Sequence, residues 1–277
     1  MMNVVLIDKF DGEYALRLNI KTRSLYKRFI KEFFMAIGKS YEEVTSRDIR
    51  NWLIDLEKEG LAASSRNTRL CGIKLFYRFL REEGLVEKDN SERIPLSKVE
   101  EELPYYLEPG QLIELRRVLK KLDDRAIIET LYSTGVRISE LIAMKKEDIN
   151  WPERSIHIPE GKRKKARIVL FTKECEIHLK AYLDSRQDDM PSVFVGRYAN
   201  TKVGVAIIQR RFREYADQLG IRLTPHTLRH TFAAHLANKG MPLECIQTLL
   251  GHEELKQTRH YARLYEHARK NVYDEWT

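Results

Sequence analysis

Helical periodicity runs through most of this chain and fails at one place, and that failure decides the architecture. Between residues 90 and 109 no apolar stripe survives, because Pro95, Pro104 and Pro109 interrupt it and Glu100-Glu101-Glu102 adds an acidic run. Proline lacks the N–H a helix needs and crowds the preceding turn. The chain therefore cannot be one continuous helical array. We expect two domains, residues 1–90 and 109–277, joined by a linker at 91–108, and 277 residues are enough for each to bury a core.

Before the break, Leu25, Phe29, Phe33 and Ile37 form one stripe over 22–37, closed by Gly38. Thr45 or Ser46 can cap a second helix with Ile49, Leu53 and Leu56 inward, ending at Gly60. Ser64 or Ser65 can cap a third, with Leu70, Ile73, Tyr77 and Leu80 inward and Lys74, Arg78 and Arg81 on another face. After the break, Pro109 precedes expected helices at 111–121 and 124–132. Ser155-Ile156-His157-Ile158-Pro159 and Arg167-Ile168-Val169-Leu170-Phe171 flank a lysine-rich turn at 160–165 and read as a hairpin. From 172 onward the helical period returns. The expected fold class is mainly α: a helical N-terminal domain, then an α+β domain with a small antiparallel sheet.

Charge narrows the partner. Lys plus Arg number 49 against 41 Asp plus Glu, a net of +8 with a pI near 9.2. Residues 1–104 carry a net of +1 and residues 105–277 a net of +7. Such a balance fits a polyanion, with nucleic acid ahead of a membrane surface, although solubility alone would also account for it. No window approaches the ~18 uninterrupted apolar residues of a membrane span, and Val4-Val5-Leu6-Ile7 is too short for a signal-peptide core. Cys71, Cys175 and Cys245 stand far apart with no C-x-x-C pair, which fits buried structural thiols in a reducing cytoplasm. No G-x-G-x-x-G occurs, and Gly38-Lys39-Ser40 has Phe33 where a phosphate loop needs glycine. His226 and His230 are spaced like a zinc pair, but Arg229 lies between them and would oppose a cation. We expect no metal and no cofactor.

Three short boxes carry the chemistry. In Thr134-Gly135-Val136-Arg137-Ile138-Ser139-Glu140 an arginine follows a turn at an expected helix start, with Glu140 placed to hold the guanidinium. In His226-Thr227-Leu228-Arg229-His230 two donors at i,i+3 share a helix face, while His230 and His235 read as structural histidines. In Leu249-Leu250-Gly251-His252 a glycine ends a helix before His252, and Tyr261 follows nine residues later.

These boxes resemble those of the tyrosine recombinases, the site-specific DNA recombinases and integrases that use a tyrosine nucleophile. The resemblance implies that Arg137 and Arg229 clamp the scissile phosphate, with His226 near the proton transfers and His252 supporting the phosphate. It further implies that Tyr261 attacks, and that Lys162 in the hairpin turn protonates the leaving oxygen, with Lys164 and Lys165 close by. It also implies a SAM-like core-binding domain before the linker and a duplex recombination site as partner. DNA contacts are then expected from Arg66, Arg69, Lys74, Arg78, Arg81, Arg163, Lys164 and Lys165. The length is similar to compact Xer-type or transposon-resolvase enzymes, without room for a further arm-binding domain. These exchange strands through a Holliday junction as a homotetramer or with a paired homologous recombinase. A type IB topoisomerase and a catalytically idle DNA-binding regulator are the alternatives. Leu264, Ala268, Val272 and Trp276 give the tail an apolar stripe. Periodicity alone puts it on its own domain, and the resemblance implies docking on a neighbouring subunit.

Overall fold

The computed structural model describes residues 2–99, 103–159, 166–196, 201–251 and 258–276. The chain divides into two compact units, Met1–Glu100 and Glu101–Thr277.

The first unit is four helices, α1 (Met2–Glu13), α2 (Ile20–Ile37), α3 (Ser46–Lys58) and α4 (Ala63–Glu82). α1 is not anticipated by the sequence reading, yet it seals the unit by burying Ile7 and Phe10, with Tyr14 buried in the turn that follows it. Phe10, Phe76 and Phe79 meet within 5.7–6.1 Å of one another between ring centroids, the separation at which aromatic pairs gain beyond simple burial. Asn19 caps α2 by accepting from the Thr22 N–H at 2.9 Å. Thr45 and Asp48 cap each other's backbone at the start of α3. The expected Ser64 or Ser65 cap of α4 is absent: Ala62 occupies the cap position without a side-chain hydrogen bond. Ser64 instead sits inside the first turn, where its carbonyl accepts from the Thr68 hydroxyl.

The expected linker is held at both ends. Asn67 exchanges two hydrogen bonds of 2.8 Å with the Ser97 backbone, and Ile94 is buried in the first unit. In the second unit Leu107 is fully buried and its N–H donates to Thr231 Oγ1 at 2.9 Å.

The second unit contains α5 (Pro109–Val118), α6 (Leu122–Thr134), α7 (Ile138–Ala143), α8 (Lys173–Asp184), α9 (Val205–Leu219), α10 (Pro225–Asn238), α11 (Leu243–Leu250) and α12 (Ala262–Trp276). Between α7 and α8 lies a three-stranded antiparallel sheet, β1 (Ile149–Asn150), β2 (Ser155–Ile158) and β3 (Arg167–Leu170), in that order. Ile156 pairs with Ile149 on one side and Val169 on the other, and this register turns all three side chains into the core. β1 is too short for a periodic signal and extends the expected hairpin by one strand.

The large core of this unit joins α6, α8 and the sheet. A smaller one joins α10, α11, Tyr261 and α12. In this single chain the α12 stripe packs in cis: Leu264 and Tyr265 lie against the smaller core and Ala268 is buried. The side chains of Val272 and Trp276 fall outside the described part. Cys175 is buried and its thiol is pushed up to about 11 by that burial. Cys71 is half-buried, whereas Cys245, expected inside, is exposed because it lies on the outward face of α11. Among the described residues, no helix is long and apolar enough to cross a membrane.

Candidate active site

Two helix C-termini converge here. α6 ends at Gly135 and α11 at Gly251, both left-handed at φ 61° and 62°. Only glycine adopts this conformation without strain, and both positions are also crowded. A Cβ on Gly135 would stand 2.4 Å from Phe232 Cδ1, and one on Gly251 would stand 2.9 Å from an Arg167 Nη1. The last carbonyls of a helix lack partners along the chain and carry partial negative charge. Here they meet guanidinium groups.

Arg229 lies one turn into α10, which starts with Thr224 accepting from the Thr227 N–H at 3.0 Å. It is only 5% exposed. Its Nη1 donates to the Gly135 carbonyl at 2.5 Å and its Nη2 to the Leu250 carbonyl at 2.7 Å. Burial, then the neighbouring Arg137, lowers its pKa to about 9, which leaves it cationic at neutral pH. Arg137 is the residue just before α7. Its backbone N–H and Nη1 donate to Glu140 at 2.8 and 3.0 Å, and weaker contacts reach the Leu250 and Gly251 carbonyls at 3.5 and 3.3 Å. Because both arginines reach the Leu250 oxygen, the two guanidiniums are neighbours. Each has five N–H groups, so donors remain for an incoming anion.

Glu140 is shared. Arg167, at the start of β3, donates to its two carboxylate oxygens at 3.3 and 2.8 Å and to the Leu249 carbonyl at 3.0 Å. Burial by itself would raise the Glu140 carboxyl. The bonds from Arg167 and from the Arg137 backbone outweigh it and hold the group at about 2.

Tyr261 closes a short 3-10 turn (Arg259–Tyr261) and is 2% exposed. Its hydroxyl is hydrogen bonded to His230 Nδ1 at 2.5 Å. Burial raises the phenol well above its ordinary pKa, and the Arg229 charge offsets only part of that. His230 is pushed down to about 4 by burial, with His226 and Arg229 adding to it, so it is neutral. The His226 side chain stays exposed, and partial desolvation of its ring, then Arg229 and Arg137, lowers its pKa.

The sequence-derived set thus divides. Arg137, Glu140, His226, Arg229 and Tyr261 come together, whereas Lys162, Arg163, Lys164, Lys165 and His252 lie outside the described residues. His235 is structural: its Nε2 hydrogen bonds to the Leu107 carbonyl at 2.9 Å, which leaves Nδ1 to accept from the Tyr132 hydroxyl at 3.0 Å. His230, read as structural, instead holds the Tyr261 hydroxyl. Arg167 was missed, and its signal was a charge on the inward-facing register of an otherwise apolar strand. In the first unit, Arg66 pairs with Glu57 at 2.7 Å, and Arg69 lies 4.3 Å over the Phe29 ring. Both therefore brace α4 against its neighbours. Lys74 donates to the Glu92 carbonyl at 3.0 Å and Arg81 faces the Glu92 carboxylate at 3.7 Å. Arg78 and Arg81 are exposed. Among the described residues, no group of three His, Cys, Asp or Glu is placed to hold a metal ion.

Comparison with known proteins agrees with this geometry. Residues 106–267 match the phage integrase family, and residues 13–84 match the phage integrase N-terminal SAM-like domain. The tyrosine recombinase XerA of Pyrococcus furiosus is 34% identical over 259 residues, spanning 91% of this chain and 88% of that protein. A crystal structure of XerA recombinase aligns with a TM-score of 0.55 at 29% identity, over 98% of this chain and 97% of that one. The Tn1549 transposon integrase, solved with transposon right-end DNA, has the same fold, with a TM-score of 0.80 at 18% identity over 98% and 99% of the two chains. The chain belongs to the phage integrase family, and it is a tyrosine site-specific recombinase.

Proposed function

We propose that this recombinase cuts double-stranded DNA with Tyr261 as nucleophile, leaving a 3′-phosphotyrosine, and rejoins the strands through a Holliday junction. The observation that carries the reading is the meeting of Arg137 and Arg229 at the Leu250 carbonyl, with the Tyr261 hydroxyl bonded to His230 beside them. Two guanidiniums offer paired donors to the non-bridging oxygens of a phosphodiester and neutralise charge that grows in the transition state. Net positive charge remains at the site even after Glu140 is counted.

A phenol with a pKa of ~10 lies about 3 units from ionisation at pH 7, roughly 4 kcal/mol. The buried position of Tyr261 makes that gap larger, so attack requires the tyrosine to leave His230 and approach the arginines. There His226 takes the phenol proton and His252 supports the phosphate. Lys162 protonates the 5′ oxygen as it leaves. The new phosphotyrosine ester conserves the energy of the broken bond, so rejoining draws on neither ATP nor a metal. Arg78 and Arg81 contact the DNA backbone, and a homotetramer or a pair with a homologous recombinase brings two duplex sites together.

The test is covalent trapping on nicked duplexes spanning the DNA that flanks the gene. Wild-type protein should form an adduct that survives denaturing gels, and Tyr261→Phe should bind the same DNA without forming it. An undiminished adduct from Tyr261→Phe would refute the assignment, with Tyr265 the next tyrosine to examine. Relaxation of any supercoiled plasmid without site preference would favour a topoisomerase instead.

A further inference from the structure

The residue that binds the clamp together is one that none of the three sequence boxes contains. Arg167 opens β3, directly after the segment 160–166 that carries the candidate lysine, and its side chain is 8% exposed. Its guanidinium spans three elements at once. Nη1 and Nη2 donate to the two Glu140 oxygens at 3.3 and 2.8 Å, and Nε donates to the Leu249 carbonyl at 3.0 Å. Gly251 packs so closely on it that any side chain there would collide with the guanidinium. Glu140 passes the constraint on, because it also accepts from the backbone N–H and Nη1 of Arg137.

Two consequences follow from this geometry. The first concerns orientation. With both oxygens of Glu140 fixed from the β3 side, the carboxylate has one way to meet Arg137, and the Arg137 guanidinium is held beside Arg229. A bidentate arginine supplies this planar constraint, whereas a lysine, with one ammonium on a flexible stem, cannot hold two carboxylate oxygens and a carbonyl together. The second concerns charge. One carboxylate shared by two arginines cancels only one of them, so Arg137 faces the site with its positive charge largely uncompensated. Without Arg167, Glu140 would neutralise Arg137 alone.

We propose that Arg167 is a positioning residue of the recombination reaction: through Glu140 and the Leu249 carbonyl it holds Arg137 and the Leu250-Gly251 turn in the geometry that clamps the scissile phosphate. This rests on the reading of Arg137 as a phosphate clamp. Arg167 itself does not touch DNA, so its loss changes the rate of cleavage and leaves the affinity of the whole chain for its site unaltered.

The experiment uses the full chain and a nicked duplex carrying the cleavage site mapped by trapping. The duplex is prepared with either a natural phosphate or a methylphosphonate at the scissile position. The methylphosphonate replaces one charged oxygen with a methyl group, so a clamp that neutralises charge matters less to its cleavage. Arg167→Ala and Arg167→Lys should each slow single-turnover cleavage of the phosphate about 10²-fold, the order expected when a reacting group is misplaced by ~1 Å. Gel-shift affinity should be unchanged, and most of the lost rate should return on the methylphosphonate. Arg137→Ala should show the same selective recovery.

If Arg137→Ala recovers and the Arg167 variants slow both substrates equally, Arg167 is only structural and the proposal fails while the clamp reading stands. If Arg137→Ala shows no recovery, the clamp reading itself fails and takes the proposal with it. Wild-type cleavage by Arg167→Lys would overturn the proposal by showing that a single charge suffices. Because Arg167→Lys keeps the charge and most of the volume, it stays informative even if Arg167→Ala misfolds.

Discussion

Glu140→Gln isolates the electrostatic worth of the clamp. The carboxyl of Glu140 is held at about 2 instead of its usual 4.5, although burial opposes ionisation. At 1.36 kcal/mol per unit, that difference corresponds to about 3 kcal/mol of stability at neutral pH. The group is more acidic folded than unfolded. Its contribution is therefore complete above about 4.5 and fades as pH falls toward 2. The side chain is only 11% exposed, so solvent screening reduces this little. Glutamine keeps the shape but leaves Arg137 and Arg167 without a counter-charge. Urea unfolding would measure the difference, with both proteins in a Trp52→Phe background. The remaining tryptophans, Trp151 and Trp276, both belong to the second unit. We expect Glu140→Gln to lose about 3 kcal/mol at pH 7 and most of that deficit to vanish by pH 3. A deficit that is the same at both pH values would refute the ionic account.

Three further perturbations follow from the geometry. Arg229→Lys puts one ammonium where two guanidinium nitrogens hold the Gly135 and Leu250 carbonyls and removes the paired donors, so cleavage should fall ~10²–10³-fold in a single-turnover assay. His230→Gln keeps an acceptor for the Tyr261 hydroxyl but does not titrate. The wild-type His230 is depressed to about 4 from 6.5, so the unfolded chain takes up its proton first and stability drops as pH falls through that window. The variant should lose this slope in melting curves taken between these two pH values. Gly135→Ala forces a left-handed alanine against Phe232 and should cost about 2–5 kcal/mol in urea unfolding, from backbone strain and overpacking together.

How far the sequence reveals this molecule depends on the range of each interaction. The stripes of α2, α3 and α4 are legible because one helix face reports its own burial, and the hairpin is legible because Ile156, Ile158 and Val169 keep the period of two. α1 is harder to see: Ile7, Phe10 and, just past its end, Tyr14 recur at helical spacing, but a reading that stops at the run Val4-Val5-Leu6-Ile7 meets only the first of them. The boxes around Arg137, Arg229 and Tyr261 are legible as patterns. What they bond to is not. Gly135, Leu249, Leu250 and Gly251 act through backbone carbonyls, whose use depends on two helix ends meeting in space. Arg66 and Arg69, expected among the DNA contacts, hold Glu57 and the Phe29 ring in this chain. A surface arginine and a bracing arginine carry the same sequence signal.

The two halves of the site stand in different states of readiness. The half proposed to bind phosphate is already assembled: Arg137 and Arg229 are fixed by carbonyls and by Glu140. Each guanidinium still has unused donors, so a phosphate can bind by adding contacts without breaking the scaffold that holds the arginines. The half that would supply the proposed nucleophile is closed. Tyr261 is sealed in the same small core that receives Leu264 and Tyr265 from α12, and its hydroxyl is hydrogen bonded to His230. Releasing the tyrosine therefore requires some loosening of the α12 contacts with α10. An apolar stripe specifies the face it buries and not the chain that provides it. In the isolated chain the tail satisfies this stripe in cis, and Tyr261 stays buried beneath it.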